Sequence, residues 1–196
     1  MKREGAAGGA HSPSSWELDA ARDKTILDVA GPGLRVLFAG INPGLYSAAT
    51  GYHFARPGNR FWPALHASGF TPRLFRPAEQ QQLLALGLGI TNVVARATAR
   101  ADELTSAEIR AGGRVLTAKV TRLAPRWLAI VGVTVYRTAF GHPGAKTGPQ
   151  EERMGETRLW VLPNPSGLNA HWTAPQLAEA YRGLREAAES STPHAE

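Results

Sequence analysis

At 196 residues, with 43% hydrophobic residues, a formal net charge of +6 and a pI of about 10.2, the chain has the size of one well-cored domain and a basic balance that suits a polyanionic partner. The absence of cysteine excludes disulfides, cysteine-ligated zinc, iron–sulfur clusters and thiol nucleophiles, and the six histidines show no H-x-x-x-H pairing, so no metal site is expected. No apolar segment approaches the roughly 20 residues of a membrane span, and the polar amino terminus has no signal-peptide core, which makes a cytoplasmic protein the default.

Residues 1–24 are rich in Gly, Ala, Ser and charge and are expected to form a flexible tail, with Trp16 and Leu18 lightly docked. A single domain is expected over 25–188, with 189–196 fraying. Gly31-Pro32-Gly33 punctuates the entry to a first strand over 34–39, and Gly40-Ile41-Asn42-Pro43-Gly44 follows as a tight loop at its carboxyl end. Open α/β sheets place their chemistry there. The glycines let backbone N–H groups approach a ligand, and Asn42 offers amide donors and a carbonyl acceptor on a short stem. A plain strand-to-helix turn remains an alternative.

Residues 45–60 are too polar and broken for a core strand and suggest a ligand-lining loop. A short helix over 61–69 with Gly69 as its C-cap, a second helix over 77–86 and a second strand over 88–94 come next. Thr105-Ser106-Ala107-Glu108 fits a capping box opening a helix to about Leu123. Gly112-Gly113 inside it would each cost on the order of 1 kcal/mol relative to alanine, which calls for close packing or a ligand contact. Trp127 to Gly132 is a continuous apolar run of the kind a parallel sheet buries on both faces. A helix over 133–140, a structureless loop over 141–150 and a last strand over 158–163 follow, and the strand delivers a second loop, Asn164 to His171. Another capping box at Thr173-Ala174-Pro175-Gln176 opens a helix to about Ala188. Strands alternating with helices predict an α/β three-layer sandwich around a short, mainly parallel central sheet.

The two strand-end loops, Gly-Ile-Asn-Pro-Gly at 40–44 and Asn-Pro-Ser-Gly-Leu-Asn at 164–169, resemble the paired signature motifs of the mismatch-specific uracil-DNA glycosylase and thymine-DNA glycosylase family. The likeness extends through Phe54, Asn59-Arg60-Phe61-Trp62, Arg96-Ala97-Thr98, Ala111-Gly112-Gly113-Arg114 and Trp160-Val161-Leu162-Pro163, and is nearest to the bacterial mismatch-specific branch. It implies a uracil-DNA glycosylase-like fold and a monofunctional enzyme of base excision repair that needs no cofactor. Such an enzyme flips a mismatched or damaged pyrimidine from double-stranded DNA, hydrolyses its N-glycosidic bond and leaves an abasic site. The implied partners are duplexes with G·U or G·T mismatches and the abasic product. A monomer working at the nucleoid is the expectation.

The resemblance also implies roles. Asn42 would orient the attacking water; its alternative is an Asx turn capping its own loop. Ile41, Gly44, Ser47, Phe54 and Asn92 would line the base pocket, Phe54 by stacking, although it could equally be a core phenylalanine. His53 is a weaker candidate for a general acid. Gly44, where strict uracil glycosylases carry a tyrosine, implies room for thymine or bulkier adducts. Leu168 would be an apolar wedge, with Gly167, Asn169 and Ala170 against the widowed guanine. Ser166, His171, Arg56, Arg60 and Arg96 are candidates for phosphate contacts. One departure stands out: Ala95 lies where many relatives have an aspartate, so a general base or cation-stabilising carboxylate is missing there. A catalytically weak protein that still binds mismatched or abasic DNA is therefore the alternative. A nucleotide-binding α/β hydrolase is more remote, because neither G-x-G-x-x-G nor a P-loop pattern is present.

Overall fold

The computed structural model describes residues 12–190. Five strands form one sheet in the order β2-β1-β3-β5-β4. They are β1 (Val36–Gly40), β2 (Leu88–Asn92), β3 (Trp127–Val131), β4 (Gly148–Met154) and β5 (Thr157–Leu162). Strands β1, β2, β3 and β5 are parallel, and β4 is an antiparallel edge. Among the described residues no helix is long and apolar enough to cross a membrane.

Alternation along β1 divides the core, because successive side chains point to opposite faces. Val36 and Phe38 pack with Phe61, Leu65, Leu177 and Tyr181, from helices α3 (Phe61–Ala67) and α6 (Ala174–Ser190). Leu37 and Ala39 pack with Leu116, Val120, Val135 and Tyr136, from α4 (Ser106–Leu123) and α5 (Val133–Phe140). The result is the expected three-layer α/β sandwich. Two further helices, α1 (Ser15–Asp19) and α2 (Leu45–Thr50), lie against each other beside it.

Several elements differ from the sequence expectation. Residues 12–24 are not simply a tail: Ser14 and Glu17 form a capping box that opens α1, and Ala21 is fully buried. Trp16 is 76% exposed and so is not docked. Residues 1–11 and 191–196 lie outside the described residues; of the carboxyl-terminal stretch expected to fray, Glu189 and Ser190 are still helical as the end of α6. The stretch Pro77–Leu86 is a 3₁₀ helix instead of an α-helix. Its inward residues, Pro77, Gln80, Leu83 and Leu86, recur every third position, which matches the three-residue turn of that helix. Gly69 falls one residue beyond the C-cap, Ser68, in the left-handed conformation. The expected loop over 141–150 contains the start of β4, a half-exposed edge strand with no apolar run and with a register shift between Pro149 and Arg153.

Packing explains the paired glycines of α4. A Cβ on Gly112 would lie 2.4 Å from the Val93 carbonyl oxygen, and one on Gly113 2.8 Å from that of Ala139. Gly112→Ala should therefore lower unfolding stability by about 1–3 kcal/mol, overpacking outweighing the gain in helix propensity. Denaturant titration checks this, and a stabilised variant would contradict it.

Candidate functional site

Topology fixes where a ligand can enter. The chain leaves β1 towards β2 on one side and returns to β3 on the other, so the connections diverge beyond the carboxyl ends of β1 and β3. A cleft of about 170 Å³ opens there. Its walls include Ile41, Asn42 and Gly44 after β1, Asn92 at the end of β2, Val131 at the end of β3, and Asn164 and Ser166 after β5. Ser47, His53, Phe54, Arg56 and Asn59 line it from the polar stretch after β1. A larger hollow, about 490 Å³, lies by Arg126, Trp127 and Arg158 at the amino ends of β3 and β5. It contains none of the expected site residues, and the strand-end cleft is the better candidate on topology and chemistry.

Asn42 has a determined orientation. Its Nδ2 donates to the Arg96 carbonyl at 2.8 Å and to the Thr98 hydroxyl at 2.8 Å. A carbonyl can only accept, and the Thr98 hydroxyl spends its own proton on the Arg100 carbonyl at 2.7 Å. Both amide protons are thus committed, and Oδ1 is left as the group able to accept from a ligand. The Asx-turn alternative does not describe this side chain, whose partners are 54 and 56 residues away in sequence.

Asn92 is set by His53, which is 1% exposed. The imidazole Nε2 lies 3.0 Å from the Leu27 carbonyl, which requires the proton on Nε2, and Nδ1 then accepts from Asn92 Nδ2 at 3.4 Å. Gln80 holds the same turn by accepting from the His53 N–H at 2.8 Å and donating to the Gly51 carbonyl at 3.1 Å. Gly40 gives both side chains room: a Cβ there would sit 2.7 Å from Asn92 Oδ1 and 3.1 Å from Phe54 Cζ. Phe54 adopts φ +53° and stacks on Phe61, ring centroids 3.9 Å apart, so one ring face is covered by the core while the residue lines the cleft. Ser47 is buried, and its hydroxyl accepts from the Ala55 N–H at 3.2 Å. Ala95 is exposed and is not among the lining residues, none of which is acidic.

The second loop is braced from outside. The Arg60 N–H donates to the Pro165 carbonyl at 3.0 Å, and its guanidinium donates to the carbonyls of Ser166, Asn169 and Trp172 at 2.8, 2.9 and 2.5 Å. Asn164 Oδ1 accepts from the Ser166 N–H, and Asn169 Nδ2 donates to the Asn164 carbonyl. This rigid frame presents Leu168 at its tip, 79% exposed, with Gly167, Ala170 and His171 also exposed. Arg56 and Ser166 line both the cleft and the groove beside Leu168.

Two arginines expected at phosphates have other partners. Arg60 serves loop carbonyls, and Arg96 pairs with Asp23 at 2.9 Å and Glu108 at 2.8 Å. The sequence expectations also missed Ile26, Asn59, Thr98 and Asn164 as cleft residues and Gln80 as a brace. The signal for Thr98 was within reach, since it stands in the Arg96-Ala97-Thr98 block. Among the described residues no group of His, Asp or Glu side chains could hold a metal ion.

Burial is the main cause holding the His53 pKa below its ordinary value of 6.5, outweighing the Leu27 hydrogen bond and the Asp28 charge. The unfolded chain therefore takes up a proton near pH 6.5 that the folded chain refuses. This contribution to stability is complete above that pH and is lost as pH falls through the lower folded value. His53→Gln should flatten the fall in thermal midpoint below pH 6.5; an unchanged pH profile in melting experiments would contradict the assignment.

The fold is similar to that of a candidate uracil DNA glycosylase from Methanosarcina acetivorans, solved by NMR in solution, with a TM-score of 0.56 and 19% sequence identity over 83% of this chain and 98% of that one. At that identity the likeness carries the fold alone. A sequence profile described as the Uracil DNA glycosylase superfamily matches residues 27–185, a span that holds both strand-end loops and all but one of the side chains lining the cleft. On that match the chain belongs to the uracil DNA glycosylase superfamily, a family of DNA glycosylases.

Proposed function

We propose that this protein is a mismatch-directed DNA glycosylase that flips uracil, and also thymine or bulkier pyrimidines, from opposite guanine in double-stranded DNA and hydrolyses the bond from base to deoxyribose. The observation that carries this is the orientation of Asn42, whose Oδ1 faces ligand chemistry because both amide protons are tied to Arg96 and Thr98.

Hydrolysis requires a held water, a stabilised leaving base and a flipped nucleotide. Asn42 Oδ1 accepts a hydrogen bond from the water and aims the water oxygen at the anomeric carbon. The C–N bond breaks with its electron pair leaving on the pyrimidine, and the water proton is finally lost to solvent. An amide is a weak base, so positioning supplies most of the rate. The N–H groups of Ile41 and Gly44 offer donors to the charge developing on the pyrimidine oxygen. Asn92 presents Oδ1 and its second Nδ2 proton, a pattern complementary to N3–H and O4 of uracil or thymine and mismatched to cytosine. Phe54 supplies a flat apolar wall for the ring. His53 is unsuited to be a general acid, because its proton is held by Leu27 and burial keeps the ring neutral.

On the DNA side, Leu168 fills the space the flipped base leaves, while Gly167, Asn169 and Ala170 face the widowed guanine. Arg56, Ser166 and His171 contact phosphates, as the net charge of +6 favours. Gly44 leaves the base pocket open where a tyrosine would exclude a 5-methyl group, so weak pairing in the mismatch contributes to selection.

A second reading is favoured by one observation: no acidic side chain lines the cleft, and position 95 is alanine. On it the protein grips mismatched or abasic DNA with little turnover. One experiment separates the two. A labelled G·U duplex incubated with excess protein and then heated in alkali should break at the uracil. Asn42→Ala should slow that release by roughly 100-fold or more while abasic-duplex affinity is kept. Binding of abasic duplex with no base release by the unmodified protein favours the second reading, and an Asn42→Ala variant of normal rate would refute the role given to that residue.

A further inference from the structure

The family-matched span begins at residue 27, yet the segment ahead of it is built into the cleft. Helix α1 packs against α2. Arg22 pairs with Glu103 at 2.7 Å, and Asp23 with Arg96 at 2.9 Å. The Asp23 N–H donates to the Ala97 carbonyl at 3.0 Å, and the Ala97 N–H to the Lys24 carbonyl at 2.9 Å. On the other flank, the Leu27 carbonyl accepts a hydrogen bond from His53 Nε2 at 3.0 Å. The Asp28 carboxylate accepts from Thr91 at 2.7 Å and from Lys119 at 2.5 Å. Val29 exchanges two backbone hydrogen bonds with Ile90, at 2.9 and 2.7 Å.

Ile26 stands between these two sets of anchors. Ile26 is half-buried and lines the cleft, where Thr98, Ala99 and Ala101 also contribute, whereas neighbouring Leu27 is 88% exposed. Every other lining residue falls within the family-matched span. An apolar branched residue in the wall of a small cleft of mixed polarity is a steric limit on what enters.

We propose that Ile26 is a specificity-determining residue, an apolar wall supplied by the amino-terminal segment that limits the size of base the cleft accepts. This rests on the base-excision reading above. It sets Ile26 against Gly44: one residue opens the pocket, the other bounds it. Discrimination by a hydrophobic wall is worth about 10-fold or more per methylene-sized change.

The test uses the full chain in single-turnover base release from two duplexes that differ only in the target opposite guanine, uracil or 5-bromouracil. Ile26→Ala should raise the bromouracil-to-uracil rate ratio about 10-fold, Ile26→Val by less, and Ile26→Phe should lower it. Thermal midpoints are followed alongside; if Ile26→Ala does not fold, the valine and phenylalanine variants decide. Folded variants that all keep the wild-type ratio would overturn the inference while leaving the base-excision reading intact. An unmodified protein that releases neither base would overturn both.

Discussion

The structure turns on the two hydrogen bonds that tie down the Asn42 amide. Without them the side chain could present either end to a ligand; with them only the carbonyl oxygen is offered. The acceptors for those bonds belong to the loop after β2, and that loop is secured in turn. Arg96, whose backbone carbonyl is one acceptor, is held by Asp23 and Glu108, while Glu108 also closes the capping box with Thr105. The Thr105 backbone N–H and hydroxyl, followed by Arg96, hold the Glu108 carboxyl below its usual pKa. Exposed ion pairs of this kind add only about 0–1 kcal/mol each to stability. Their importance here lies in fixing where a backbone carbonyl sits.

Around that constraint the parallel strands concentrate polar chemistry at their carboxyl ends and apolar packing along their length. β1 is buried along its whole length, and its last residue is a glycine because Asn92 and Phe54 close over it. Phe54 accepts a left-handed backbone to bring its ring there, a local cost that stacking on Phe61 helps offset. Neutral His53 orients one amide and Thr98 orients another. The cleft thus presents two side-chain amides of fixed orientation. Arg60 performs the matching task for the second loop, keeping Leu168 exposed on a frame of carbonyl hydrogen bonds.

Much of this was legible in the chain. The apolar runs at 34–39 and 127–132 could only be buried strands, the capping boxes at Thr105 and Thr173 marked helix starts, and both motif loops fell at strand ends. What could not be read had physical reasons. β4 is a polar edge strand whose partner, not its sequence, makes it a strand. The helix at Ser15 carries a capping box in a stretch otherwise composed like a tail. Ile26 reaches the cleft through topology that no local pattern encodes. Nor could the sequence show the partners that Arg60 and Arg96 have within the fold, loop carbonyls for the one and Asp23 and Glu108 for the other.

The most direct test of the account is the single-turnover rate of uracil release from a G·U duplex by Thr98→Val, with affinity for abasic duplex measured in parallel. Valine removes one of the two bonds that hold the Asn42 amide without touching Asn42 itself. Base release should fall roughly 10-fold, about the worth of one hydrogen bond, with abasic-site affinity retained. Base release at the unmodified rate would contradict it.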